Sequence, residues 1–477
     1  MNPPSVIISA LRGGSGKTII SLGIIAAWKK SGKKIAPFKK GPDYIDSGWL
    51  TLAAGQPCYN LDSYLIQEDL LKISYNLHSK NSDISVIEGN RGLFDGIESE
   101  GKTSTAELSK LLGIPIILCV DCTKITRTMA ALISGCINFD PNVNIQGVIL
   151  NRVAGKRHEA ILKTCIEKHC KISVIGAIPK SKIDIFPERH MGLVPIHEHN
   201  LAQNSIDLIS NLIESNLDLD LLLKIAKESI QKNDKGIFSQ SYIFDPEKAE
   251  SKKSLKRPVI GVIQDSAFQF YYPENLESLS FFGSDLVFIS PLSNASIPEI
   301  HGLYIGGGFP ETHAEELSKN ESFKRQLKIL VENGLPVYAE CGGLIYLAEQ
   351  MIYNKKNYDM CGVLPLTLSF SEKPHGHGYI LATVDTENPY YKMGTEIKGH
   401  EFHYSKVSKW GGTSKDLVFN MKRGTGFIDG KDGILYKNVL ASYTHVHALG
   451  TIEWAKNLVS NAKEYMNSIK GLRIEIS

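Results

Sequence analysis

Neither sign of charge is in excess in this chain. Its 477 residues carry 53 Lys and Arg against 51 Asp and Glu, a formal net charge of +2. A balance this even offers no electrostatic footprint for nucleic acid or for an anionic membrane. Long apolar runs are missing as well. Those present, such as Ile114–Val120, fall far short of the roughly 20 residues a spanning helix needs. Val6–Leu11 is too short for the apolar core of a secretion signal, and glycines follow it instead of a cleavage site. The eight cysteines are scattered, without the dense spacing of a disulfide scaffold. These absences argue against secretion, membrane insertion and disulfide stapling. The chain reads as a cytoplasmic protein with reduced thiols.

What is present is glycine and an alternating pattern. With 41 Gly and 42% hydrophobic residues, the length suits two or three domains of about 150 residues. The runs Val6–Ala10, Lys34–Phe38, Ile84–Glu88, Ile114–Val120, Ile145–Leu150 and Ile172–Ile178 are mostly apolar and do not alternate. That is the pattern of parallel strands buried on both faces. Between them, Ile20, Ile24 and Trp28 recur at helical spacing, and Gly32 supplies a C-cap. From Lys227 to Arg257 the sequence turns charged, polar and aperiodic, which predicts a linker. A second series begins at Pro258–Ile263 and continues at Asp285–Ser290, Gly302–Ile305, Leu335–Ala339 and Val439–Tyr443. The expected fold is α/β, with two doubly wound domains over residues 1–235 and 257–477 and a linker at 236–256.

The first strand runs into Leu11-Arg12-Gly13-Gly14-Ser15-Gly16-Lys17-Thr18 and then a helix. Glycines at Gly13, Gly14 and Gly16 let backbone N–H groups, with that of Ser15, turn toward a phosphate at a helix N-terminus. Lys17 reaches the terminal phosphates in such a loop, and the Thr18 hydroxyl holds Mg²⁺. Leu11 stands where the usual pattern has glycine. Hard cations take oxygen ligands, and acids sit beyond two strand ends: Asp43 and Asp46 after the second strand, Glu88 closing the third. Taken singly, each is an ordinary turn residue or helix cap. Ligands in open α/β sheets bind where such positions converge. The N-terminal domain is therefore expected to be a P-loop ATP-binding domain.

In the second domain, strand Leu335–Ala339 leads to Glu340-Cys341-Gly342-Gly343 and an apolar-periodic helix from Leu344. A thiol on a tight strand-to-helix turn is exposed at the top of a sheet, and the helix N-terminus favours its thiolate. Gly342, and Gly307 in the loop Gly306–Glu311, are the candidate oxyanion donors. A cysteine needs a base, and His445, just past strand Val439–Tyr443, has the strand-end position for that role. A buried structural thiol and a capping histidine are the competing readings.

Ten strings carry a resemblance: FKKGPDYIDSGWL, NLDSYL, VIEGNRGLFDG, STAELSKLLGIPIIL, GVILNRV, PERHMGLVP, AECGGLIYL, GLYIGGGFPE, GHEFHYS and ASYTHVH. In order, from Ser5 to about Leu449, the chain resembles the cobyrinic acid a,c-diamide synthase family. In that family a dethiobiotin-synthetase-like P-loop domain is fused to a flavodoxin-like class I glutamine amidotransferase domain. The resemblance implies ATP and Mg²⁺, with Asp46 and Glu88 as magnesium-linked acids and Asn151 at the nucleotide base. It implies glutamine hydrolysis at Cys341 through a thioester, and amidation of a tetrapyrrole polycarboxylate through acyl phosphates. Lys39, Asp43 and Tyr44 are candidates to meet that substrate. Related glutaminases carry an acid two residues after the histidine; His447 stands there, which implies a Cys–His dyad and leaves open what orients His445. Cobyrinic acid is the expected substrate, with hydrogenobyrinic acid and nickel-sirohydrochlorin as alternatives and a P-loop switch ATPase as a distant one. Small molecules are the expected partners, not nucleic acid or membrane, and a homodimer is compatible.

Other signals are discounted. Cys119 and Cys122 form a lone C-x-x-C, better read as buried thiols. His375 and His377 suit a glycine-rich substrate loop more than a metal pair, and His400 and His403 are expected as core or interdomain contacts. Beyond Asn457 a short helix is expected, followed by a Leu472–Ser477 tail.

Overall fold

Seven parallel strands build the N-terminal sheet of the computed structural model, which describes residues 3–180, 188–189, 192–193, 202–228 and 256–475. They are β1 (Ser5–Ala10), β2 (Ile35–Lys40), β3 (Tyr59–Leu61), β4 (Ile84–Glu88), β5 (Ile116–Asp121), β6 (Ile145–Val153) and β7 (Ser173–Pro179). Their order is β3-β2-β4-β1-β5-β6-β7. The continuous apolar runs are explained by burial: every residue of β1, β2 and β4 is inside. Strand β3 was not expected, because three residues are too short to show a periodicity. It matters nonetheless, since its Asn60 donates to the carbonyls of Gly41 and Asp43 at 2.7 and 3.0 Å and shapes the turn after β2. Helix α1 (Lys17–Lys30) follows β1, and α2 (Tyr44–Ala54) follows that turn with Asp43 as its N-cap, accepting from the Asp46 amide at 2.8 Å.

The chain divides into two units, Met1–Ile243 and Phe244–Ser477. Of the expected linker, residues 236–255 lie outside the described residues, as does most of PERHMGLVP. In the second unit one sheet has ten strands. Five are parallel, in the order Asp285–Ile289, Val259–Ile263, Gly302–Ile305, Val337–Glu340 and Val439–Ser442. Antiparallel strands Lys431–Tyr436, Leu417–Arg423, Gly376–Val384 and Glu396–His403 continue it. His445–Val446 then closes the far edge against Glu396–His403. The chain thus leaves the middle of the sheet at Ser442 and reaches its opposite edge by His445, so the sheet curls on itself. A four-stranded sheet (Lys356–Asp359, Ala348–Tyr353, Leu364–Phe370, Ser405–Trp410) packs beside it.

The antiparallel half and the side sheet were not anticipated. The C-terminal expectation also needs correction: Glu453–Glu475 is one helix, with no separate tail starting at Leu472. Trp454, Ala455, Leu458, Val459, Ala462 and Met466 form its buried stripe, and packing carries the helix onward.

Candidate active sites

Local backbone chemistry builds the first site. Gly14 and Gly16 take left-handed φ of 70° and 92°, turning the loop between β1 and α1. Gly16 is also a close approach, since a Cβ there would lie 2.3 Å from Asn151 Nδ2. Asn151, near the end of β6, donates to the Ser15 carbonyl at 2.8 Å, and Arg152 donates to that of Gly14 at 3.1 Å. Asn151 therefore braces the loop from behind. Lys17 is buried and donates to the Arg91 carbonyl at 2.7 Å; burial first, then the nearby Lys39, lowers its pKa. Gly13 lies in the same loop with open space around it.

Sheet register assembles the acids. Lys39 on β2 stands beside Glu88 on β4, and Lys39 Nζ lies 2.7 Å from Glu88 Oε1 and 2.6 Å from Asp46 Oδ2. Thr18 Oγ1 donates to Glu88 Oε1 at 2.7 Å and lies 3.5 Å from Asp46 Oδ2. Burial works against the Lys39 ammonium, but Asp46 and Glu88 outweigh it and raise its pKa. Burial, aided by the charge of Asp46, pushes Glu88 up, although Lys39 pulls the other way. Two carboxylates thus share one ammonium and leave an excess of negative charge. Glu88 Oε2 is buried without a hydrogen-bond partner among the described residues, the condition of an oxygen that fits a cation. Asp43 is part-buried at the α2 N-terminus, and burial with the charge of Asp46 raises it. Tyr44 is part-exposed on the same turn. The two cysteines Cys119 and Cys122 are fully buried, and burial pushes each up to about 12, as suits structural thiols.

In the second unit, Cys341 follows strand Val337–Glu340 with φ 46° and ψ −93°. A non-glycine residue held there is strained, and such strain persists only where surrounding structure imposes it. Here the Cys341 amide is tied to the Ser442 carbonyl at 2.7 Å, and the next turn is a short buried helix, Gly342–Leu347. Its thiol points at the Phe402 carbonyl, 3.7 Å away. The glycine loop packs on this turn: a Cβ on Gly342 would sit 3.0 Å from Gly308 N, and one on Gly307 only 2.5 Å from His445 Cε1. Cys341, Gly342, Gly307 and His445 are therefore brought together. The expected easy thiolate is not: burial, with Glu311 and Glu340 nearby, pushes the Cys341 thiol up, and the Gly342 amide opposes this weakly.

An acid does meet His445, contrary to the dyad expectation. Glu340 Oε2 lies 3.2 Å from His445 Nδ1, and both side chains are buried. His447 cannot orient His445; it is fully buried with Nε2 3.5 Å from Glu274 Oε2 and its ring 4.6 Å from that of Tyr272. His400 stacks on His445 at 4.9 Å, and burial, with the two other histidines, holds it well below the usual imidazole range. His403 stacks on Tyr443 within the core at 3.6 Å, while His377 lies in the strand Gly376–Val384 and the His375 amide, just before it, donates to the His403 carbonyl at 2.8 Å. Glu340 was in plain view in the sequence. The available signal was an acid ending an otherwise apolar buried strand.

Comparison with known proteins agrees with this division of chemistry. Residues 6–194 match the model of the CobQ/CobB/MinD/ParA nucleotide binding domain, and residues 259–451 that of the CobB/CobQ-like glutamine amidotransferase domain. A protein of Magnetococcus marinus named cobyrinate a,c-diamide synthase is 42% identical, covering 95% of this chain and 96% of its own. Proteins of the same name from Dehalococcoides mccartyi and Archaeoglobus fulgidus are 40% and 37% identical, covering 98% and 97% of this chain and 99% and 98% of their own.

Proposed function

This chain belongs to the cobyrinate a,c-diamide synthase family, and from that premise we propose that it amidates the a and c carboxylates of cobyrinic acid. It is a glutamine-dependent ligase of cobalamin biosynthesis with a nucleotide-binding domain. One observation carries the reading: a single chain, similar over nearly its whole length to proteins of that name, holds both a phosphate loop and a thiol–imidazole site.

In this reading Cys341 attacks the glutamine amide carbon, and His445 takes the thiol proton and returns it to the departing nitrogen. Gly307 and Gly342 supply N–H groups to the oxyanion. Water then hydrolyses the thioester to glutamate. At the other site the Gly13–Thr18 loop cradles ATP, Lys17 meets the phosphates, and Asn151 holds the loop in shape. Transfer of the γ-phosphoryl group to a substrate carboxylate gives an acyl phosphate, whose phosphate is a good leaving group when ammonia attacks. Thr18, Asp46 and Glu88 would hold Mg²⁺, a set that fits because three hard oxygens converge there and one buried oxygen of Glu88 has no hydrogen-bond partner among the described residues. Bound there, the ion neutralises phosphate charge. Asp43 and Tyr44, on the turn that opens α2, would meet the substrate, whereas Lys39, buried between Asp46 and Glu88, is better suited to hold those acids in place.

The test is to incubate the protein with ATP, Mg²⁺ and glutamine, offering cobyrinic acid, hydrogenobyrinic acid and nickel-sirohydrochlorin separately, and to read product masses. Two amidations on cobyrinic acid are expected. Amidation of another ring alone would move the substrate, and no amidation with ATP still hydrolysed would overturn the reading.

A further inference from the structure

We propose that Glu340, the residue preceding the nucleophile, is the positioning acid of the glutamine site, completing a Cys341–His445–Glu340 arrangement. The inference rests on the reading of Cys341 and His445 above and deepens it.

Strand alternation is the starting point. Along Val337–Glu340 side chains point to opposite faces in turn, so Val337, Ala339 and the turn at Cys341 join one core, while Tyr338 joins the other, with Tyr304 and Trp454. Glu340 shares the Tyr338 face. Nucleophile and carboxylate are thus adjacent in sequence yet directed to opposite sides of the strand end. His445 reaches this strand end because the strand Val439–Ser442 pairs beside Val337–Glu340, with Ser442 opposite Glu340.

The carboxylate is fully buried and built into its place. Oε2 accepts from Tyr304 Oη at 3.3 Å and lies 3.2 Å from His445 Nδ1, while Oε1 accepts from the Val446 amide at 3.3 Å. An ionised carboxylate only accepts hydrogen bonds. The nitrogen facing it must therefore carry the proton, which puts the ring's lone pair on Nε2, the nitrogen that would receive the thiol proton. When that proton moves from Sγ to Nε2, the imidazolium forms against a fixed negative charge. The ring is held from a second side by Gly307, whose missing side chain leaves just enough room for Cε1. Burial first, then the charges of Glu311 and Glu340, raise the Cys341 thiol, so the nucleophile rests as a thiol whose proton a base must take. The acid comes from the residue before the cysteine, and the position two after the histidine is given to a buried His447 instead.

Glu340→Gln keeps shape and volume while removing the charge. The expected result is a fall in glutamine-dependent kcat of about 10²–10⁴-fold, the range for losing an orienting carboxylate. The KM for glutamine is expected to stay within about threefold, because the group touches imidazole and not substrate. Amidation supported by ammonium should be unchanged, and Glu340→Asp should recover part of the kcat. A far-downfield imidazole N–H resonance in the NMR spectrum of the unmodified protein should vanish in E340Q. An unchanged kcat in E340Q, an equal loss of ammonium-supported activity, or no such resonance in the unmodified protein would each overturn the assignment. The resonance decides even if E340Q fails to fold. Cys341→Ser, assayed beside it, separates the two readings. Glutamine use surviving in C341S sinks the thiol reading itself, whereas use lost in C341S but intact in E340Q sinks only the role of Glu340.

Discussion

A buried lysine lies between buried Glu88 and part-buried Asp46, beside the phosphate loop. Lys39 neutralises one negative charge of the Glu88–Asp46 pair and leaves the other seeking a cation, with Thr18 already hydrogen-bonded to Glu88. Glu88→Gln preserves the side chain's volume but removes that excess. Mg²⁺-dependent ATP turnover should fall by at least about tenfold, with a higher Mg²⁺ concentration needed for half-saturation. Titrating the metal against ATP hydrolysis measures both, and unchanged kinetics would remove Glu88 from the metal set. At this scale, residue types in a fixed local motif were legible: Lys17, Thr18, Cys341 and its glycines lie on single turns whose conformation the sequence dictates. Lys39 between its acids and Glu340 against His445 were not. Each depends on which strand lies beside which, a fact of register and not of spacing.

Among elements, the short loop from Gly306 to Phe309 shows how backbone alone can tune a side chain elsewhere. Gly307 pairs with Phe270 in a small two-stranded antiparallel sheet, and its φ is not among the left-handed values that demand glycine. Its requirement is steric: an added methyl would meet His445 Cε1 at 2.5 Å and Phe270 Cδ2 at 3.3 Å. Gly307→Ala should therefore push the imidazole aside and lower glutamine-dependent turnover by about 10²-fold, the cost of roughly 1 Å of misplacement. Ammonium-supported amidation, measured on the same preparation, should stay within about twofold, since no residue of the phosphate loop or its acids is altered. A glutaminase rate equal to that of the unmodified chain would mean the ring can yield without cost. Apart from the three-residue β3, the parallel strands of both units were readable, most of them because burial on two faces writes an unbroken apolar run. The antiparallel strands from Lys356 to Tyr436 were not, because half-buried strands with charged outer faces look like surface loops until their partners are known. The final helix was under-read for a related reason: its apolar stripe is sparse and gains its length from the sheet it covers.

For the whole molecule, the two units pose one chemical requirement. In the proposed reading a thiol site releases ammonia and a phosphate site consumes it, two separable half-reactions carried on units that each have their own core. Glutamine is then replaceable by its product. Cys341→Ser removes the nucleophile and leaves a hydroxyl whose proton His445 cannot usefully take, so glutamine-dependent amidation should fall below detection. With excess ammonium salt at a pH where free ammonia is present, the same variant should amidate its tetrapyrrole at a rate close to that of the unmodified protein, because nothing at Lys17, Thr18, Asp46 or Glu88 has changed. Product mass and ADP release, followed together, distinguish the outcomes. ADP release without amide would mean that acyl phosphate forms and is lost to water. Loss of amidation with both nitrogen sources would mean that the thiol site is needed for more than making ammonia, and would remove the basis for treating the two chemistries as independent.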